Sequence, residues 1–259
     1  MRFWPRAATP YPQCIMEAMA LRIVHLFPDL MSIYGDRGNV LALQQRSRWR
    51  GIDVEVRSHT AGAALDPDWA DLYFFGGGQD QGQDVVGEDL QGPNGARLRE
   101  GIASGAAVLS ICGGYQLLGH EYVPDDAPPI PGAGVLDVRT TAGTRRFVGN
   151  LLVKSDGGAL VGFENHSGKT YLGPRARPLG RVLVGNGNNG EDRTEGAVQG
   201  RVIGCYLHGS LLPKNPWLAD RLIGWALERR HGPVTLAPLD DTAEHAAQAQ
   251  AMEVARART

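Results

Sequence analysis

The chain has 259 residues, 42% of them hydrophobic and 21% charged, which is the composition of a globular protein with room for one large domain or two small ones. Its formal net charge of −2 gives no bulk attraction to nucleic acid or to an anionic membrane. No window approaches the run of about 18 apolar residues that a membrane span needs. The first 20 residues, MRFWPRAATPYPQCIMEAMA, carry charge and proline but no continuous apolar stretch, so a signal peptide is not expected and the expected compartment is the cytoplasm. The 3 cysteines, Cys14, Cys112 and Cys205, form no CxxC pair, which speaks against a disulfide framework or a structural metal site.

In chain order, residues 1–20 lack periodicity and read as an extension. Leu21–Phe27 is a β-branched run closed by Pro28, a strand. Tyr34–Asn39 (YGDRGN) is turn-like, with Asp36 and Arg37 read as turn formers, and Val40–Gly51 has helical spacing with a glycine stop. Ile52–His59 alternates as a second strand, and Asp71–Phe75 is a buried strand running into Gly76, Gly77 and Gly78. Ala96–Gly105 is a helix, Ala106–Cys112 an apolar strand, and the GGYQLLGHEY that follows opens another helix. Strands alternating with helices predict βαβ units on a mostly parallel sheet, with the active site at the strands' carboxyl ends. Pro129–Thr194, rich in Gly and Asn, predicts an added antiparallel segment. A strand in Arg201–Leu212 ends at His208; Asn215–Gly232 is an amphipathic helix with Asn215 as N-cap and Pro216 at N1; Asp241–Thr259 is Ala-rich and helical. The domain therefore spans 21–238, with a tail at 239–259.

Cys112 lies between an apolar strand and a helical stretch in S-I-C-G-G-Y-Q. A thiol on such a turn has its thiolate favoured by the helix N-terminus, and the next backbone N–H is free to stabilise an oxyanion. A buried structural cysteine is the ordinary alternative, and Gly113 and Gly114 turn the reading toward a nucleophile. His208 at another strand end supplies a plausible base, while Cys205 reads as core. The Gly76–Gly78 run is either a plain turn or an oxyanion site; it does not fit the phosphate-loop pattern GxxxxGK[ST]. Arg145 and Arg146 could pair with a substrate carboxylate, and Asn165 and His166 could contact a ligand from a Gly-flanked loop, but spacing alone favours a surface arginine and a turn asparagine.

The ordered set FPDLMSIYGDRGN, FFGGGQDQ, SICGGYQLLG, RRFVGN, FENHSGKTYLG and YLHGSLLPKNP resembles the class I (triad-type) glutamine amidotransferases, in their cobyric-acid-synthase-like branch. Within that branch it is most similar to glutaminase subunits of lipid II isoglutaminyl synthases. The resemblance implies a flavodoxin-like α/β fold. It implies attack of Cys112 on L-glutamine, His208 as base, and an oxyanion hole from Gly77 and Gly113. It further implies substrate contacts from Gln116, Arg146, Asn165, His166 and Ser167. Ammonia would pass to a Mur-ligase-like (MurT-type) subunit in a heterodimer, where ATP and magnesium belong. There D-glutamate of lipid II becomes D-isoglutamine in peptidoglycan synthesis, and lipid II would draw the pair to the inner face of the membrane. Another amide-forming synthetase of cobyrinic-acid type, or a non-catalytic regulatory module, are the alternatives. Ser210 stands where the branch's relatives with a full triad carry an acid two residues past the histidine, so the third triad member is expected from the partner.

Overall fold

The computed structural model describes residues 19–32, 35–78 and 80–257. Cys14 and nearly all of the expected extension lie outside them.

Strand β1 (Ala20–Leu26) leads through a loop to helix α1 (Arg37–Arg48), then to β2 (Asp53–His59) and β3 (Leu72–Phe75). Helices α2 (Asp80–Gln91) and α3 (Pro93–Ala103) precede β4 (Ala107–Ile111) and the short α4 (Gly113–Leu118). Next come β5 (Glu121–Val123), β6 (Ile130–Pro131), β7 (Val138–Thr141), β8 (Phe147–Ser155), β9 (Gly158–His166) and β10 (Lys169–Leu172). The chain continues through β11 (Gly180–Val184), β12 (Thr194–Glu195), β13 (Ala197–Gln199) and β14 (Val202–Cys205) to α5 (Pro216–His231) and α6 (Thr242–Ala257).

The central sheet has 6 strands in the order β13-β14-β4-β3-β1-β2. All neighbours are parallel except the β13–β14 pair. Its inner strands read as apolar runs, LYFF in β3 and AVLSI, interrupted by Ser110, in β4, because both faces are covered, and every residue of the two is buried. At the edge, β2 alternates half-exposed valines with exposed polar residues. Two further 4-stranded sheets, β10-β7-β5-β6 and β12-β11-β8-β9, make up the region expected to be antiparallel, although β5 and β7 run parallel.

The β8–β9 hairpin, paired from Phe147↔His166 to Ser155↔Gly158, is fastened to the main sheet at its far end. The His208 N–H donates to the Phe163 carbonyl at 2.7 Å, and the Phe163 N–H returns a bond to His208 at 3.3 Å. A loop from the second sheet system is thereby brought to the carboxyl edge of the first.

Three boundaries and one helix differ from the sequence expectation. Helix α1 starts at Arg37, inside the segment read as a turn, and α3 begins at Pro93. Helix α2 was not anticipated, because DQGQDVVGEDLQ has two glycines and only three apolar residues. Strand β14 stops at Cys205, so His208 stands on the extended loop beyond it. Asn215 holds the N-cap position of α5, but its side chain ties three backbone groups instead: Oδ1 accepts from Val161 N–H, and Nδ2 donates to Val161 O and Leu211 O.

Helix α6 lies on the hairpin, where Ala255 packs with Leu152 and Val161 and Gln248 Nε2 donates to Ala159 O at 3.2 Å. Its approach is pinned by Arg46, a buried guanidinium shared between Asp220 at 2.7 Å and Asp241 at 2.6 Å.

Candidate active site

The carboxyl ends of β1, β3, β4 and β14 deliver Asp36, Gly76–Gly78, Cys112 and His208 to one place, as parallel-sheet topology requires of a site. Cys112 is the turn between β4 and α4, with φ 51° and ψ −110°, a left-handed conformation that L side chains rarely adopt. Hydrogen bonds hold it there: its N–H donates to Cys205 O at 2.9 Å, and the Gln116 N–H donates to Cys112 O at 3.0 Å. Gly114 makes the bend possible, since its N–H donates to Gly76 O at 3.1 Å and a Cβ there would lie 2.7 Å from the carbonyl oxygens of both Phe75 and Gly76.

Gly77 is the meeting point of the reactive groups. A Cβ built on it would lie 3.0 Å from His208 Cε1, 3.3 Å from Cys112 Cβ and 3.3 Å from Asp36 Oδ2. Cys112 and His208 therefore face each other across a glycine, and Cys112 is 8% exposed. On the other side of the ring, Asp36 Oδ1 is 3.7 Å from His208 Nδ1, with both side chains buried. An acid of this chain, Asp36, therefore lies beside the histidine although Ser210 fills the position two residues past it. Ser210 serves that acid indirectly: its Oγ donates to Gly35 O at 2.6 Å, next to Asp36. The Leu212 N–H donates to Asn39 Oδ1 at 2.9 Å and fixes the start of α1 in the same way.

A family model described as the CobB/CobQ-like glutamine amidotransferase domain matches residues 22–216. The chain belongs to this family. It is 40% identical over 225 residues, 86% of this chain and 91% of the relative, to the lipid II isoglutaminyl synthase (glutamine-hydrolyzing) subunit GatD of Staphylococcus aureus. It is 39% identical over 215 residues, 82% of each chain, to the subunit of the same name from Streptococcus pneumoniae. A crystal structure described as a glutamine amidotransferase shares the fold with TM-score 0.53 at 17% identity, covering 78% of this chain and 98% of that one.

In this amidotransferase, burial acts to lower the His208 pKa, but the nearby Asp36 and Cys112 outweigh it and raise the value to about 10. The ring is therefore an imidazolium at neutral pH, a proton donor beside the Cys112 sulfur.

The two expected oxyanion glycines separate. Gly113 follows the nucleophile directly. The Gly77 N–H is already committed, donating to Asp36 Oδ2 at 2.6 Å, so the amide expected to face substrate faces the carboxylate instead. The neighbouring Gly78 nitrogen is 3.1 Å from where a Gly113 Cβ would stand.

Of the expected substrate contacts, Gln116 is buried beside the nucleophile and donates through Nε2 to the Tyr206 hydroxyl at 3.1 Å. His166 stacks on Tyr206 with ring centroids 3.5 Å apart at 4°. Its Nδ1 meets Gly168 O at 2.8 Å, so that nitrogen carries the proton and Nε2 presents a lone pair. Burial drives its pKa down to about 3, so the ring is neutral. Arg146 is exposed and donates through Nε to Asn165 Oδ1 at 2.7 Å, which joins those two at the rim. Ser167 is half-buried, and no side-chain hydrogen bond links it to the other site residues among those described. The sequence reading missed Gln83, on the unanticipated α2, which reaches Gln116 from above Gly113. No group of three or more His, Cys, Asp or Glu gathers as a metal site among the described residues, and none of their helices is long and apolar enough to cross a membrane.

Proposed function

We propose that the protein is the glutaminase subunit of a two-subunit ligase that amidates D-glutamate of lipid II. The observation that carries the chemistry is the convergence of Cys112, His208 and Asp36 around Gly77. Likeness to glutamine-hydrolyzing GatD subunits over most of the chain favours that acceptor over a cobyrinic-acid type.

The Cys112 sulfur attacks the side-chain carbonyl carbon of L-glutamine, and the C–O π electrons move onto oxygen. The Gly113 N–H and, in place of Gly77, the Gly78 N–H stabilise that oxyanion. The tetrahedral adduct collapses, the C–N bond breaks, and the His208 imidazolium gives its proton to the departing nitrogen, releasing ammonia. Water then attacks the γ-glutamyl thioester, His208 takes its proton, and glutamate leaves as the thiol is restored. Asp36 holds the ring and its positive charge. Arg146, with Asn165, receives the substrate carboxylate.

Ammonia passes to a Mur-ligase-like partner that holds ATP and magnesium, in a heterodimer working in the cytoplasm where lipid II is assembled. The test is the reconstituted complex. Cys112→Ala abolishes glutamine-dependent amidation but leaves ammonium-dependent amidation intact. Persistent ammonia release from glutamine by that variant, or a wild-type complex that amidates cobyrinic acid and not lipid II, contradicts the proposal.

A further inference from the structure

Gln83 belongs to the segment GGGQDQGQD, whose glycines alone entered the mechanism. It projects from the first turns of α2 and is 3% exposed. A Cβ on Gly113, the residue that follows the nucleophile, would lie 2.6 Å from Gln83 Nε2. The carboxamide therefore hangs directly over the oxyanion-forming turn.

Its hydrogen bonds have a direction. Gln83 Nε2 donates to Gln116 Oε1 at 3.3 Å, and Gln116 Nε2 donates to the Tyr206 hydroxyl at 3.1 Å. That hydroxyl meets Thr170 Oγ1 at 2.7 Å, which meets Thr140 Oγ1 at 2.8 Å. With the Gln116 nitrogen directed at Tyr206, its oxygen faces Gln83, and the Gln83 nitrogen donates to it. The other atom of the carboxamide, Gln83 Oε1, is buried and has no hydrogen-bond partner. A buried acceptor left unpaired is a deficit that a ligand donor removes.

We infer that Gln83 is a substrate-reading residue, its Oε1 accepting a hydrogen bond from a nitrogen of L-glutamine. This rests on the glutaminase reading above and adds a specificity element to it. The unpaired atom is an acceptor only, so the position welcomes N–H and repels a carboxylate. Two nitrogens of glutamine offer that chemistry, the α-ammonium and the side-chain amide.

The experiment uses the complex with its ligase partner, Gln83→Met and Gln83→Glu. Three compounds are compared: L-glutamine, glutaramate, which lacks the α-amino group, and the γ-methyl ester of L-glutamate, which lacks the amide nitrogen. Met keeps the length of the side chain and removes the acceptor. The expected result is a fall in kcat/KM for glutamine of about 10- to 100-fold in Gln83→Met, with Tm preserved. The penalty disappears with the one compound that lacks the nitrogen being read: glutaramate if it is the α-ammonium, the ester if it is the amide. Gln83→Glu, which sets a carboxylate against Gln116 Oε1, lowers kcat/KM further if protonation does not rescue it, and recovers as pH falls. An unchanged kcat/KM in Gln83→Met, or an equal loss with all three compounds, overturns the inference while leaving the glutaminase reading intact. A wild-type complex inert toward glutamine overturns both.

Discussion

Asp36 touches two groups at once, the imidazole of His208 through Oδ1 at 3.7 Å and the Gly77 N–H through Oδ2 at 2.6 Å. Its removal has a specific signature. The His208 pKa stands at about 10 against an ordinary 6.5, so its pairings contribute full stability below about pH 6.5 and lose it as pH climbs toward 10. Asp36→Asn should bring the His208 titration, followed by NMR of the ring Cε1–H, down by about 1–3 pH units and lower kcat about 100-fold or more. An unmoved titration would remove Asp36 from the site. Ser210→Ala, which loses the bond to Gly35 O, should shift the same titration in the same direction by less, with a smaller fall in kcat. Cys112 and His208 were legible because each stands beside a strand or glycine signal in the sequence itself, whereas Gln116 was reached only through the resemblance. Asp36 was not, since an aspartate in YGDRGN looks like any turn former until the sheet brings β1 and β14 to the same edge.

At the scale of elements, strands with apolar runs, such as β3 and β4, were readable from pattern alone, and so was α5 with Pro216 at its first turn. Helix α2 was not, because its glycines and charges mask the few apolar positions that bury it, and with it the sequence reading lost Gln83. The placement of α6 depends on a charge cluster that no local pattern announces: Arg46 of α1 between Asp220 of α5 and Asp241. Asp241→Ala leaves the buried guanidinium with one carboxylate. The expected outcome is a loss of about 1–3 kcal/mol in urea denaturation and faster proteolytic release of residues 242–257. Unchanged protease sensitivity would mean that the packing of Ala255 against Leu152 and Val161 suffices to hold the helix.

Over the whole molecule, the sheet order β2-β1-β3-β4-β14 sets the nucleophile, base and acid at one edge, while the β8–β9 hairpin carries Asn165 and His166 to them. The interface between the two sheet systems contains Glu195, a wholly buried carboxyl whose Oε1 accepts from Tyr206 N–H at 2.7 Å. Burial pushes its pKa up to about 8 from 4.5. For an acid raised on folding, the native state holds the extra proton, so stability falls as pH rises from about 4.5 through 8. Glu195→Gln keeps the acceptor and removes the ionisation, so it should raise Tm at pH 8.5 and leave it nearly unchanged at pH 4.5. Calorimetry at the two pH values checks this, and an equal Tm change at both would show that Glu195 does not titrate in this range.

The central claim concerns one sulfur, and it is tested most directly by covalent labelling. A glutamine analogue carrying an electrophile at the amide carbon, added to the complex with its partner and followed by peptide mass mapping, should modify Cys112, spare Cys14 and the buried Cys205, and abolish ammonia release in proportion to the label. Label on another cysteine, or full ammonia release from protein with Cys112 completely modified, would contradict the account.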